Sequence, residues 1–415
     1  MQRLLNYLQQ LLRIDVRSTL RSGSWLSLNY GVQIGVGVIT TVALANLLSK
    51  ESLGTYQYII AVAGVLSIFT LTGLGTAITR GVALGHEGLL RSSVWLKLKW
   101  SIGIVLTSAA VAAYYLYNGN FELGLAFLIV GACAPFIESF KLYENYLHGK
   151  EAFRDTVLLG AWRKPLPLLA TVATAWFYPE PLALIAAYFL SNAISLALVY
   201  FSVIKKYNPP SESHAETVTY SKHLSVIRSI GIASSHFDKL LLWHFLGPVA
   251  VASFTIAQLA VRYSGVFLNT LSALALNRFS KRDLPTLQRT LPRKAALLTV
   301  GMLFAAITYA VLAPFFFPIL FPQYPESIIL SQVLALAFFL IPRSLYTQAL
   351  SAHRQTKAQY ILSIATPITH ISLLIILIPV YGLWGAVYAQ LSAGFSIAVL
   401  TYILFKRAQK IEPLN

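Results

Sequence analysis

Residues 236–278 read HFDKLLLWHFLGPVAVASFTIAQLAVRYSGVFLNTLSALALNR, and this stretch decides the fold. It holds the end of one long apolar segment and the whole of the next, joined at Gly247–Pro248. Each full segment reaches the ~20 residues that a ~30 Å hydrocarbon layer requires. Asp238, Lys239 and Arg262 lie inside these apolar runs. A charge at bilayer depth costs at least ~2.5–3.5 kcal/mol on insertion scales, so it faces a protein interior or a wet cavity. The stretch has a twin near the N-terminus. Ala77-Ile78-Thr79-Arg80 stands 198 positions before Ala275-Leu276-Asn277-Arg278, and Leu48 and Tyr56 stand equally far before Leu246 and Phe254. The expectation is a duplicated membrane bundle with buried cations.

Working outward, the composition agrees. Of 415 residues, 56% are hydrophobic and only 11% charged. Such a chain cannot cover itself with polar surface, so lipid is the solvent for most of it. The net charge of +17 would point to nucleic acid in a soluble protein. Here it follows from the Lys and Arg that cytoplasmic loops of membrane proteins collect, and no nucleic-acid partner is expected. One cysteine, Cys133, lies in an apolar segment, which excludes a disulfide framework.

Hydropathy marks twelve spans, at 24–48, 53–78, 100–117, 121–147, 157–177 and 182–204, then 224–246, 249–277, 295–321, 326–352, 358–379 and 382–405. The runs are continuous and far longer than a membrane β-strand. Residues 1–22 lack the central apolar run of a cleavable signal. They set Leu4, Leu8, Leu11 and Leu12 on one stripe with Arg3, Arg13, Arg17 and Arg21 elsewhere, which suits an amphipathic helix on the cytoplasmic membrane surface. A mitochondrial presequence is the rival reading of that segment. Residues 23–204 form an N-lobe, 205–222 a cytoplasmic linker, 223–405 a C-lobe and 406–415 a cytoplasmic tail.

With this assignment 28 of the 32 basic residues fall on one side, and the opposite side receives only Lys50. That asymmetry places both termini in the cytoplasm. Tyr114, Tyr115, Tyr117, Trp176, Phe177, Tyr178, Phe321 and Tyr324 gather at the outer ends as an interfacial belt. A second correspondence, at an offset of 207, pairs Pro135 with Pro342, Lys150 with Lys357 and Phe153 with Tyr360. Six spans per half keep the two copies in one orientation, a parallel repeat about an axis along the membrane normal. The expected architecture is all-α integral membrane, with twelve transmembrane helices in two six-helix lobes. A parallel pseudo-two-fold relates the lobes across a central cavity.

The chemistry present is that of binding rather than bond breaking. His236 and His244 are too loosely spaced for a metal site, which needs several ligands at fixed geometry. Gly35/Gly37 and Gly73/Gly75 follow no strand, so they are not nucleotide loops. What remains is a set of cations at depth: Arg262 near the midplane, Arg343 beside Pro342, and Lys239 next to Asp238 nearer the outer end. The competing account pairs Asp238 with Lys239 or Arg262 as a structural ion pair. Arg suits phosphate because its planar fork donates two parallel hydrogen bonds and stays charged. Arg80 and Arg278 hold matching places at the cytoplasmic mouth, as an entry funnel or only through the positive-inside rule. Asn29 and Gln33 give the first span a polar stripe that faces the cavity or a neighbouring helix. Glu138, Lys141 and Glu144 read as a local charge ladder.

Ala43-x-Ala45-Asn46-Leu47-Leu48-Ser49-Lys50-Glu51-Ser52-Leu53-Gly54-Thr55-Tyr56 resembles the first-loop signature of polysaccharide flippases of the Wzx type. These belong to the multidrug/oligosaccharidyl-lipid/polysaccharide (MOP) exporter superfamily. Leu71-x-Gly73-Leu74-Gly75-x-Ala77-x-x-Arg80, Asp238-Lys239-Leu240-Leu241-Leu242 and Tyr381-Gly382-Leu383-Trp384-Gly385-Ala386 fit in order. The resemblance implies twelve helices in two lobes. It also implies flipping of an undecaprenyl-diphosphate-linked oligosaccharide from the inner to the outer leaflet of the bacterial plasma membrane. On that reading Arg262, Lys239 and Arg343 hold the diphosphate, and Asn29 and Gln33 meet sugar. The expected partners are the lipid-linked oligosaccharide and membrane lipid; a monomer is expected, and association with polysaccharide polymerase machinery stays open. No cofactor is expected. Moving two negative charges outward across ~100 mV gains ~4.6 kcal/mol, which can drive the cycle, while Asp238 is the candidate for coupling to H⁺ or Na⁺ instead. A drug/cation antiporter of the same superfamily would use carboxylates where this chain has cations. A membrane-embedded polysaccharide polymerase or transferase would need a large outer loop that the spacing leaves no room for.

Overall fold

The computed structural model describes residues 16–210, 215–264, 275, 276 and 278–409, with side chains described throughout these except at 16–30, 215–218 and 220. Helices make up nearly all of it, as they must where no water meets the backbone. In chain order they are α1 (Val16–Leu47), α2 (Lys50–Leu66), α3 (Leu74–Ala83), α4 (Leu89–Trp100), α5 (Ile102–Tyr117), α6 (Phe121–Phe140) and α7 (Leu142–Gly149). There follow α8 (Phe153–Arg163), α9 (Pro165–Phe177), α10 (Pro181–Tyr207), α11 (Ala215–Leu246) and α12 (Pro248–Ala257). The last five are α13 (Leu284–Leu320), α14 (Glu326–Leu334), α15 (Arg343–Ala352), α16 (Thr356–Tyr381) and α17 (Leu383–Arg407).

Among the described residues, eight helices are long and apolar enough to cross a membrane: 50–69, 89–117, 121–149, 181–207, 284–320, 326–352, 356–381 and 383–407. Shorter apolar helices occupy Gly31–Leu47 and Pro248–Ala257. Lys164 separates α8 from α9, so the expected fifth span is in two pieces. His236, Asp238, Lys239 and His244 dilute the expected seventh. Most of the eighth, from 265 to 274, lies outside the described residues, as do residues 1–15. Residues 16–22 run unbroken into the first span, and helix occupies 205–207 and 215–222 of the expected linker.

Proline and glycine punctuate the helices where their backbones require it. Gly247 adopts φ 79°, open to glycine and strained for other residues, and hands the chain from α11 to Pro248 in the first turn of α12. The expected tenth span is broken: α14 tightens into a 3₁₀ segment, Ala335–Leu340, before Pro342 precedes α15. A similar 3₁₀ turn, Ser67–Phe69, interrupts the second span before α3.

The repeat is visible in these breaks. The α1 and α11 ends and the α2 and α12 starts correspond within one residue of the 198 offset. The loops after α7 and α15 share their backbone, but at a different register from the one the side chains suggested. Glu151 and Arg354 both take positive φ, 55° and 52°. The bonds Ala152 N–H to Leu147 O and Gln355 N–H to Leu350 O match, as do Glu151 to His148 and Arg354 to Ser351. The offset is 203 rather than 207, because hydrogen-bond geometry and not side-chain identity defines the turn.

Contacts divide the chain into two units, one holding residues up to Thr40 with Leu66–Val226, the other Thr41–Val65 with the residues from Ile227 on. The first packs Leu74 and Ile78 of α3, Val94 of α4, Tyr143 and Tyr146 of α7 and Val203 of α10 into one core. The second has two cores. Leu287 and Leu291 of α13 meet Leu350 and Phe405 in one, and Leu242, Phe254, Leu334 and Ile378 meet in the other. On α13, Leu297, Val300, Phe304, Ile307, Val311, Phe315 and Ile319 recur every three or four residues and are all exposed. An exposed apolar stripe of that length is stable only against lipid. Tyr114, Tyr117, Trp176, Phe177 and Tyr178 are exposed at helix ends, as a belt requires, whereas Phe321 and Tyr324 are buried. Tyr324 lies beneath Lys50, which pairs with Glu326 at 2.6 Å, and Phe321 packs on Phe317.

Candidate functional site

One polar cluster forms inside the second unit, on α11, the turn after α12, α16 and α17. Helical spacing puts Ser234 and Asp238 one turn apart on α11, with Lys239 beside them. Asp238 and Lys239 are 4% and 9% exposed. The helix of α12 stops at Ala257 and resumes through the Arg262 N–H bond to Gln258 O at 2.9 Å, which sets Gln258 one turn before Arg262.

Asp238 Oδ1 accepts the Lys239 backbone N–H at 2.8 Å, and Oδ2 accepts a longer bond, 3.4 Å, from Gln258 Nε2. Gln258 Nε2 also donates to Gln390 Oε1 at 2.8 Å. Ser234 Oγ meets His370 Nδ1 at 3.1 Å, within the field of the Asp238 carboxylate. His236 feels the charges of Lys239, Asp238 and Arg262, and its Nδ1 is buried with no partner among the described residues. Its ring occupies the space beside Gly64, where a Cβ would stand 2.4 Å from Nε2.

The structural ion pair is not formed. No described carboxylate forms an ion pair with Lys239, Arg262 or Arg343, although Asp238 lies near enough to act on Lys239 electrostatically. Lys239 is thus a nearly buried ammonium without an acceptor among the described residues, while Arg262 is exposed and Arg343 half-buried. Arg343 opens α15 and shares no hydrogen bond or charge coupling with the cluster. Arg80 on α3 and Arg278 are both exposed, in different units. Gln33 is exposed on α1 in the first unit; the Asn29 side chain lies outside the described residues.

Gln258, His370 and Gln390 escaped the sequence reading. Each is a lone polar residue in an apolar run, and an intramembrane polar residue is a functional candidate by default. Spacing alone could not show that Gln258 reaches Asp238 and Gln390, or that His370 reaches Ser234. The charge ladder is also corrected. Glu138 pairs across to Lys97 of α4 at 3.1 Å, and Glu144 to Arg163 of α8 at 3.4 Å, so the acids of α6 and α7 bind neighbouring helices instead of Lys141.

Comparison with known proteins returned a family and a fold. The sequence profile described as polysaccharide biosynthesis protein matches residues 19–277. No curated protein matches the chain. Among solved structures, the inward-facing conformation of a multidrug resistance MATE family transporter of the MOP superfamily aligns with a TM-score of 0.72 at 14% identity, covering 89% of this chain and 93% of that one. The outward-facing conformation of a multidrug resistance MATE family transporter of the MOP superfamily gives 0.66 at 16%, covering 94% of both chains. A MOP superfamily transporter from Pyrococcus furiosus, described as having reverse polarity of its binding pocket, gives 0.64 at 15%, covering 94% of this chain and 96% of that one.

Proposed function

Because this chain belongs to the polysaccharide biosynthesis protein family and shares its fold with MOP superfamily transporters, we propose that it is a lipid-linked oligosaccharide flippase. It is a multi-pass membrane protein and a MOP-type transporter, not an enzyme. The substrate of the proposal is an undecaprenyl-diphosphate-linked repeat unit. Alternating access carries it from the inner to the outer leaflet of a bacterial plasma membrane, between two six-helix lobes with both termini cytoplasmic.

One observation carries the reading: Lys239, Arg262 and Arg343 have no ion-pair partner among the described residues. Uncompensated cations at membrane depth are costly, and an anionic ligand offsets that cost when it binds. A diphosphate supplies the charge and the oxygen acceptors, and its prenyl tail stays in lipid. The sugars would lose hydrogen bonds with water in hydrocarbon and regain them from polar side chains. A cation antiporter needs the opposite polarity, and Asp238 is the one carboxylate of the described cluster.

Replacing Arg262 or Arg343 by Ala should abolish surface polysaccharide while protein abundance in the membrane is retained. Staining of surface polysaccharide against an immunoblot of the membrane fraction reads both. Normal export by both variants would remove the role assigned to these cations.

A further inference from the structure

Helices α4 and α5 follow one another across Ser101, whose N–H bonds Lys97 O at 2.8 Å, and together form one apolar span, residues 89–117. Along them Arg91, Trp95, Lys99, Ile102 and Leu106 recur every three or four residues, and Tyr117 stands three turns further on the same face. Arg91 is half-exposed and the other five are exposed, Trp95 to 62%. Cations lie on both sides of α4, and they are treated differently. Lys97 is buried and takes its counter-charge from Glu138 of α6 at 3.1 Å. Arg91 and Lys99 face outward, and no described carboxylate forms an ion pair with either. Glu87, one turn before Arg91, is held by Lys150. Arg91 Nη2 donates to Asn208 Oδ1 at 3.2 Å, and Lys99 Nζ lies over the Trp95 ring, 5.4 Å from its centroid. On the flank, Lys222 of α11 lies over the Trp100 ring at 5.6 Å.

We propose that this face of α4 and α5 binds an anionic phospholipid, its phosphate at Lys99 with Arg91 supplying the second charge, and its chains along Ile102 and Leu106. Length supports the placement. Lys99 and Tyr117 are 18 residues apart, ~27 Å along a helix, close to the ~30 Å of a hydrocarbon layer. Tyr117 then marks one edge of that layer and Lys99 the other, and Trp95 and Arg91 lie one and two turns out, among the headgroups. A soluble anion would match the basic half of the face and leave the apolar half unused, whereas a lipid matches both. Lys97 shows that α4 neutralises a cation from within the protein where it can; for Arg91 and Lys99 the anion comes from outside. The inference requires only that the chain spans a membrane, and stands or falls apart from the flippase reading.

The test places the full chain in phosphatidylcholine nanodiscs with a minor fraction of brominated phosphatidylglycerol or brominated phosphatidylcholine. Bromine quenches a tryptophan that it touches, and the part of the fluorescence lost in Trp95→Phe isolates Trp95. A cation at an anionic headgroup contributes about five-fold. Wild type should therefore prefer phosphatidylglycerol about 25-fold, and Lys99→Gln about five-fold. Arg154→Gln, an exposed cation of α8 away from this face, should leave the preference unchanged, as should inorganic phosphate compared with sodium chloride at equal ionic strength. A ratio between two lipids on one preparation is insensitive to partial loss of folded protein. Equal quenching by both lipids in wild type would give these cations to a soluble acidic partner and overturn the site. An undiminished preference in Lys99→Gln, or an equal loss in Arg154→Gln, would reduce them to general surface charge and overturn it too. Displacement by inorganic phosphate beyond that by chloride would overturn the lipid as the occupant.

Discussion

At the scale of residues, charge in this chain does two different jobs. The pairs Lys97–Glu138, Arg163–Glu144 and Lys206–Asp155 join helices, and no described carboxylate pairs with Lys239, Arg262 or Arg343. Asp155 is the most instructive of the joining kind, since it lies outside the long spans, at the start of α8. It accepts from Lys206 Nζ and Tyr207 Oη in the last turn of α10. Burial works to raise its carboxyl pKa, but the hydrogen bonds from Lys206 and Tyr207 and the charges of Lys206 and Arg154 prevail and hold it below the usual range. A depressed native pKa contributes stability above the unfolded value of ~3.9, and loses it as pH falls through the native value. Asp155→Asn should therefore melt about 2–4 °C below wild type at pH 7, with the gap closing below about pH 4. Thermal melts of the purified protein across pH check this; a gap that widens in acid would contradict it. The sequence displayed every one of these charges and could not sort them, because pairing is a matter of distance.

At the scale of elements, the first-loop segment Leu53-Gly54-Thr55-Tyr56 gains a physical meaning. Gly54 of α2 lies so close to the start of α12 that a Cβ would fall 1.8 Å from Pro248 O. Four residues on, Tyr58 stacks on Trp243 of α11 with ring centroids 4.2 Å apart. Gly54→Ala should force α2 away from α12 at about 1–3 kcal/mol, and lower both the melting temperature and the amount of protein in the membrane. A variant that melts with wild type would mean that α2 slides without cost. The breaks at residues 67–69 and 335–340 belong to this scale as well. Pro342 announced the second in the sequence, whereas no proline announced the first. There the Gly73 N–H leaves the helix ladder and bonds Ser225 Oγ at 2.9 Å, a partner 152 residues away.

At the scale of the whole molecule, the expected topology has a direct test. Asn118 lies in the turn between α5 and α6 and Arg154 in α8, both exposed, and the basic-residue count puts them on opposite sides of the membrane. With Cys133 replaced by Ala, Asn118→Cys should react with an impermeant maleimide in intact cells. Arg154→Cys should react only after the membrane is opened. The reverse pattern would invert the orientation and put the cytoplasmic mouth assigned to Arg80 and Arg278 on the wrong face. Twelve spans remain the expectation beside the eight helices that meet the length and hydropathy requirement by themselves. A helix with Asp238 and Lys239 buried against protein falls short of that requirement because part of its face never meets lipid.

Hydrophobic length, the one-sided Lys and Arg and the positions of Gly and Pro are local properties, and they alone determined that this is an all-helical membrane chain with an internal repeat. They also marked Asp238, Lys239, Arg262 and Arg343 as out of place, since a charge in an apolar run is conspicuous without coordinates. The tertiary structure decided what those charges face: Lys239 in no ion pair with a described carboxylate, Glu138 and Glu144 satisfied by other helices, and Gln258 bonded to both Asp238 and Gln390. Hydrogen bonds and ion pairs act over about 3–4 Å between residues more than a hundred positions apart, and only the folded chain brings them that close.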